Sequence, residues 1–314
     1  MKILIVGGAG YIGGYLTDLL IKKNFNVTVF DNLLYEYKYL KEVKFVNGDI
    51  TNFKKINNLF KKNFDVVIWL AALVGDGACA TNPELTKKIN YDSVNNLLKN
   101  YKNKIIFMST CSVYGQSNLI LNEKSKKNPL SLYARTKIDA EKLINRKNNN
   151  VCIFRLGTLY GLGDINSRIR LDLVVNILTM KAALGQPLEV FGGNQWRPLL
   201  HVRDVAHAIL FVLENGITGT YNVSDENYKI KDLALMIKRE FNNKINLKIS
   251  KMMFEDTRNY KVSSKKFKKY GWKPIYTIKD GIEQIKKIIK EKRIKDINDI
   301  IYSNAKYINK LYNE

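Results

Sequence analysis

The stretch SLYARTK carries Tyr133 and Lys137 four residues apart. Such residues are neighbours on one face of a helix, and Pro129 and Ser131 just upstream are helix-starting residues. A tyrosine ionises near pH ~10. A cation ~4 Å away at an effective dielectric of ~20 favours its phenolate by up to ~4 kcal/mol, enough to bring a phenolate general base toward neutral pH. With 18 tyrosines and, by count, 42 lysines in the chain, this pairing also arises by chance on solvated helix surfaces, so the other motifs must decide its meaning.

A second chemical signal lies at the N-terminus, where VGGAGYIGG follows a strand-like ILIV and places Gly7, Gly10 and Gly13 at the start of a helix-like stretch. Glycines so placed let the backbone approach a pyrophosphate at a helix N-terminus, where free N–H groups favour anions. Asp31 follows about twenty residues later at the end of a second strand-like run. Its carboxylate suits the hydroxyls of an adenosine ribose and repels a 2′-phosphate.

These residues need a frame. Short apolar runs at 2–6, 26–30, 43–47, 64–70, 104–108 and 151–155 alternate with stretches of helical length such as YIGGYLTDLLIKK and PELTKKINYDSVNNLLKN. The alternation predicts an α/β fold, a doubly wound parallel sheet with helices on both faces. After about residue 165 the pattern turns irregular, with a helix-like RLDLVVNILTMKAAL, a short strand LEVFG and a charged helical tail from Lys279 onward that either packs or protrudes. A smaller C-terminal domain is expected, with residues 1–165 and 197–225 in the dinucleotide-binding domain and 166–196 and 226–314 in the substrate-binding one.

Composition narrows the class. The chain has 314 residues, 46% hydrophobic, with five prolines, a makeup that fits an ordered globular protein. No apolar run approaches the ~18 residues of a membrane span and the N-terminus shows no signal-peptide pattern, so a cytoplasmic protein without a membrane partner is expected. Cys79, Cys111 and Cys152 lack metal-type spacing, and His201 and His207 are the chain's two histidines, so no metal site is expected. The net charge of +23 is the excess of 52 basic over 29 acidic residues, and by count the basic ones are 42 lysines and 10 arginines. Because the lysines are dispersed, we expect a solvated basic surface and no nucleic-acid partner.

In these motifs and their order, the chain resembles the extended short-chain dehydrogenase/reductase family, nucleotide-sugar epimerase and dehydratase branch. GGAGYIGG and DNL (31–33) resemble the cofactor turn and ribose end of the UDP-galactose 4-epimerase type. GDI (48–50), LAAL (70–73), INYDS, STCSVYG (109–115), SLYARTK, RPLLHVRD (197–204) and DTRNYKVSSKKFKKYGWKP also match the family. The resemblance implies NAD as cofactor. Gly7, Gly10, Tyr11, Ile12 and Gly13 would lie at its pyrophosphate, Asp31, Asn32, Asp49 and Ile50 at its adenosine, and Leu70, Ala71 and Ala72 beneath it, with Asn90 behind that loop. Tyr133 and Lys137 would contact its nicotinamide half. The catalytic set implied is Thr110, Tyr133 and Lys137: the tyrosine takes a proton from a sugar hydroxyl, Lys137 lowers its pKa and holds the nicotinamide ribose, and Thr110 hydrogen-bonds the reacting oxygen. For the nucleotide-sugar substrate the resemblance implies Arg197 and Arg258 at the diphosphate, with Thr158 and Asn176 at the sugar.

Two departures bear on activity. Dehydratases of the family follow the catalytic threonine with an Asp-Glu pair, whereas Cys111 and Ser112 stand here, which disfavours elimination. Thr158 replaces an asparagine common in the epimerases, and SRIRLDLVVN (167–176) is more similar to surface-polysaccharide oxidoreductases, including GDP-heptose 4-dehydrogenases. The expected function is therefore an NAD-dependent epimerase acting through a 4-keto intermediate at C4 of a nucleotide sugar. The alternatives are a nucleotide-sugar 4-dehydrogenase or reductase and, in another class, a non-catalytic dinucleotide- or RNA-binding protein. The family resemblance further implies a homodimer through the helices near 84–100 and 131–146.

Overall fold

The computed structural model describes residues 1–148, 150–164, 166, 168–250 and 258–313. Asp256 and Thr257 of the DTRNYKVSS segment and Ser167 of SRIRLDLVVN lie outside the described residues. The core is a seven-stranded parallel sheet in the order Gly219–Val223, Val151–Leu156, Lys104–Thr110, Val66–Trp69, Lys2–Val6, Asn26–Asp31, Lys44–Asn47. Lys2–Val6 pairs with Asn26–Asp31 on one side and Val66–Trp69 on the other. The strand order reverses there, opening a crevice at the strands' carboxyl ends.

Along the first strand, Ile3 and Ile5 join a cluster with Leu16, Leu20, Val205 and Ile209, while Leu4 and Val6 face Ile56, Leu59, Val94 and Leu97. Helices cover both faces, which is why the strands are continuously apolar instead of alternating.

Three features differ from the sequence-based expectation. The edge strand Gly219–Val223 was not anticipated, because TYNV is short and carries a buried Asn222. The stretch 83–100 is not one regular helix: a π turn over Lys88–Asp92 separates Pro83–Lys87 from Ser93–Asn100. Finally, the helix expected from RLDLVVNILTMKAAL begins only at Val174. Its first residues form an irregular bend, with Arg170 paired to Asp172 at 3.0 Å and Leu171 N donating to Tyr302 O at 2.9 Å.

Smaller sheets complete the second layer: Thr158–Tyr160 with Trp196–His201 and Asn227–Lys229, Leu188–Phe191 with Leu247–Ser250, and Gln116–Leu121 with Asn259–Val262. The charged tail packs. Ile278–Lys290, capped by reciprocal Thr277 and Asp280 bonds, lies against Val174–Ala183. The chain then turns back, and Asn304–Asn313 lies on Asp76–Thr81 with Ile308 fully buried beside Leu73, Ala78 and Cys79. Among the described residues no helix is long and apolar enough to cross a membrane.

Candidate active site

The glycine turn has the close approaches its sequence predicts. Gly7 has φ +87°, and a Cβ there would lie 2.5 Å from Ala71 N. A Cβ on Gly13 would meet Gly8 O at 2.4 Å, so the helix start is pressed on the turn. At Gly10 the nearest atom to such a Cβ is Gly7 O at 3.4 Å, and this residue borders both cavities of the crevice. The smaller cavity, about 130 Å³, is lined by Asp31, Asn32, Asp49, Ile50, Leu70, Ala71 and Ala72. Asp31 accepts from Ala9 N at 3.0 Å and Leu33 N at 2.7 Å. Burial raises its pKa, and the backbone donors oppose that rise. Asn32 Nδ2 donates to Asp49 Oδ2 at 2.9 Å, joining the two segments of this rim.

The larger cavity, about 780 Å³, contains Tyr11, Ile12, Thr110, Tyr133, Lys137, Thr158, Arg197 and Arg258 on its walls. Helix Leu132–Lys147 starts at Ser131, whose hydroxyl accepts from Ala134 N at 3.2 Å. The helix is fixed to the sheet by a buried pair, Arg155 Nε to Glu141 Oε1 at 3.0 Å, with Ser109 donating to the same carboxylate. Tyr133 and Lys137 thereby project from a rigid element.

Burial dominates the electrostatics of this pair. The Lys137 ammonium donates to Met108 O at 2.9 Å and sits 4.9 Å from the Phe107 ring centroid. Burial brings its pKa down to about 8. For Tyr133 burial is the largest influence and pushes the phenol well above its ordinary value, with Cys79 and Asp76 adding to the rise. Arg170 and a hydrogen bond from Thr110 oppose it. Arg170 and Thr110 thus favour the phenolate, while the Lys137 ammonium hydrogen-bonds the strand end at Met108 O.

Other predicted residues divide between contact and support. Thr158 borders the cavity. Arg197 is 5% exposed and donates to Trp196 O at 2.9 Å and to Arg258 O; Arg258 pairs with Asp76 at 3.2 Å. Asn90 is a scaffold for the 70–73 loop, its Oδ1 accepting from Leu73 N at 2.9 Å and its Nδ2 donating to Leu73 O at 3.0 Å. Asn176, expected at the sugar, is fully buried: its Oδ1 accepts from Gly161 N at 2.8 Å and its Nδ2 donates to Arg170 O at 3.0 Å. It faces the chain behind the cavity, because the helix starts later than its sequence suggests. In RPLLHVRD, His201 caps the following helix and Asp204 accepts from Ile275 N and Tyr276 N, so Arg197 is the residue of that segment reaching the cavity.

Several cavity residues were not singled out from sequence. Asp76, Arg168, Arg170, Asp172, Ser112 and Asn304 all line it. Arg168, Arg170 and Asp172 lay within a segment whose resemblance drew attention, yet a helical reading gave no reason to aim them inward. Cys111, at a dehydratase acid position, is buried with its thiol toward Arg155 O at 3.1 Å.

Residues 3–224 match the family model described as the NAD dependent epimerase/dehydratase family. The chain is 30% identical over 302 residues to a Methanocaldococcus jannaschii protein named as a candidate UDP-glucose 4-epimerase, covering 90% of this chain and 96% of that one. It is similar to the solved UDP-glucuronic acid 4-epimerase of Bacillus cereus, with 25% identity, a TM-score of 0.80 and coverage of 93% and 99%. The fold is also that of the UDP-glucose 4-epimerase of Thermus thermophilus, at a TM-score of 0.79, 23% identity and coverage of 92% and 99%. With a glycine turn open at Gly10, the Asp31 carboxylate on the smaller cavity and a Tyr133–Lys137 helix on the larger one, the chain belongs to the NAD-dependent epimerase/dehydratase family of extended short-chain dehydrogenases/reductases.

Proposed function

We propose that this enzyme epimerises C4 of a nucleotide-linked sugar through a 4-keto intermediate. The observation that carries this reading is the single large cavity, which runs from Gly10 past Thr110, Tyr133 and Lys137 to Arg197 and Arg258. When bound, NAD supplies the hydride acceptor and donor of the reaction. Arg197 and Arg258 hold the diphosphate, a group that guanidinium geometry suits. The sugar then lies at Tyr133, which takes the C4 hydroxyl proton and later returns it, while Thr110 steadies the same oxygen. Burial raises the Tyr133 pKa above its ordinary value, with Cys79 and Asp76 adding to the rise, so the phenol must give up its own proton before it takes that of the C4 hydroxyl. An anchor at the diphosphate leaves the keto sugar able to turn its other face without leaving the cavity.

The domain division proposed is the one that places residues 1–165 and 197–225 at the cofactor and 166–196 and 226–314 at the substrate. A homodimer through the 84–100 and 131–146 helices and a cytoplasmic place in surface-polysaccharide synthesis complete the proposal. The irregular Arg168–Asp172 segment along the cavity supports a second reading, a 4-dehydrogenase or reductase, for example on a GDP-heptose.

The test is incubation with UDP-, GDP-, CDP- and dTDP-sugars, with and without added NAD, following NADH absorbance and product stereochemistry. Epimer formation without net NADH is expected. Stoichiometric NADH with a 4-keto product, or turnover only with a recycling co-substrate, selects the second reading.

A further inference from the structure

Arg168 is 7% exposed, yet it hydrogen-bonds no carboxylate among the described residues. Its Nη1 donates to Asn304 Oδ1 at 2.6 Å and its Nη2 to Ile301 O at 2.9 Å, both on the C-terminal segment. The Nε of the same guanidinium has no partner among the described residues. A buried cation with an unmatched donor calls for an anion.

Its position indicates which one. The guanidinium lies 3.5 Å from the Tyr35 ring centroid. Tyr35 belongs, with Gly7 and Gly10, to the lining shared by the two cavities. With the adenosine of NAD in the smaller cavity and its nicotinamide in the larger, the group crossing their junction would be the dinucleotide's pyrophosphate. Arg170 next door is already matched by Asp172 at 3.0 Å, whereas Arg168 keeps a donor without a partner among the described residues.

Its support comes from the far end of the chain. Asn304 donates through Nδ2 to Val74 O at 2.8 Å and through its backbone N to Asp172 Oδ2 at 3.0 Å. It thus joins the 74–76 loop, the Arg170–Asp172 pair and Arg168. We propose that Arg168 binds the pyrophosphate of NAD from the side opposite the glycine turn, and that the C-terminal segment, through Asn304, is the latch that holds it there and retains the cofactor between turnovers. This inference rests on NAD dependence and not on the identity of the sugar or the net reaction.

The test uses the full-length chain stripped of cofactor, with Arg168→Met and Asn304→Ala variants titrated calorimetrically with NAD, adenosine and UDP. Arg168→Met is expected to weaken NAD by about tenfold or more while adenosine and UDP stay within roughly twofold, and Asn304→Ala to weaken NAD by about threefold or more in the same pattern. Both variants should also lose more NAD through gel filtration than the parent. NAD affinity unchanged in Arg168→Met overturns the assignment, and a UDP loss as large as the NAD loss gives Arg168 to the substrate instead. An unaffected Asn304→Ala overturns the latch. Should Arg168→Met fail to fold, Arg168→Lys, which keeps the charge and loses the planar fork, carries the same comparison.

Discussion

Arg258 Nη1 lies 3.2 Å from Asp76 Oδ2, so the cation proposed for the substrate diphosphate already has a carboxylate partner on the cavity wall. Both side chains are about one-third exposed, at 33% and 31%, and such a pair contributes only ~0–1 kcal/mol. An incoming diphosphate must nevertheless compete with Asp76 and approach its charge. We predict that Asp76→Asn tightens UDP binding by roughly threefold to tenfold at low salt, with the gain shrinking as ionic strength rises. Titration at two salt concentrations checks this, and weaker binding would make Asp76 the group that orients Arg258.

Asp76 and Thr110 act on Tyr133 in opposite directions, Asp76 raising the phenol pKa and the Thr110 hydrogen bond lowering it. Asp76→Asn should therefore move the rising limb of the kcat–pH profile to lower pH, and Thr110→Val should move it higher. Tyr133→Phe should lower kcat by about a thousandfold while leaving NAD affinity within roughly twofold, since the phenol is proposed to serve the sugar hydroxyl. Parallel shifts in the first two variants would break the link to Tyr133, and near-normal turnover in the third would remove it from the reaction.

Lys137 is buried and its pKa falls from 10.5 to about 8. Below about pH 8 both the folded and the unfolded chain carry this proton, and the fold bears the full cost of a buried ammonium. Between pH 8 and 10.5 the folded chain releases a proton that the unfolded chain keeps, so this group makes stability rise with pH across that window, by at most about 3 kcal/mol. Lys137→Met should accordingly be more stable than the parent at pH 7, with an advantage that shrinks by about pH 9.5. Urea midpoints at the two pH values measure it. An advantage independent of pH would show that Lys137 keeps its proton in the fold across this range, with a pKa that burial has not lowered.

What could be seen in the sequence was what local spacing determines. Gly7 and Gly13 announce close backbone approach, and Asp31 ends the second strand wherever that strand pairs. Tyr133 and Lys137 share a helix face whatever surrounds it. The residues missed are those whose role depends on distant chain. Arg168 meets the cavity because Asn304 and Ile301 hold it, and the helix at 174 starts late because Leu171 N is engaged by Tyr302 O. The same delay turned Asn176 from a sugar contact into a buried scaffold. Adjacency on a helix also does not say where a long side chain points, and here the Met108 carbonyl holds the Lys137 ammonium.

The last prediction concerns the cofactor's adenosine end. Asp31 places one carboxylate there, and Glu36, pushed up to about 6 by burial, lines the same small cavity. No lysine or arginine occurs from Asn32 to Tyr37 to offset them. A 2′-phosphate on the ribose would face this charge, so NADP should bind about a hundredfold more weakly than NAD. Asp31→Asn keeps one carbonyl acceptor for the Ala9 or Leu33 backbone N–H and removes the charge. It should narrow the preference by about tenfold while costing NAD less than that. Fluorescence titration of both cofactors against parent and variant measures the ratio. If the preference survives in Asp31→Asn undiminished, it comes from the shape of the rim that Asn32 and Asp49 form, and not from the carboxylate of Asp31.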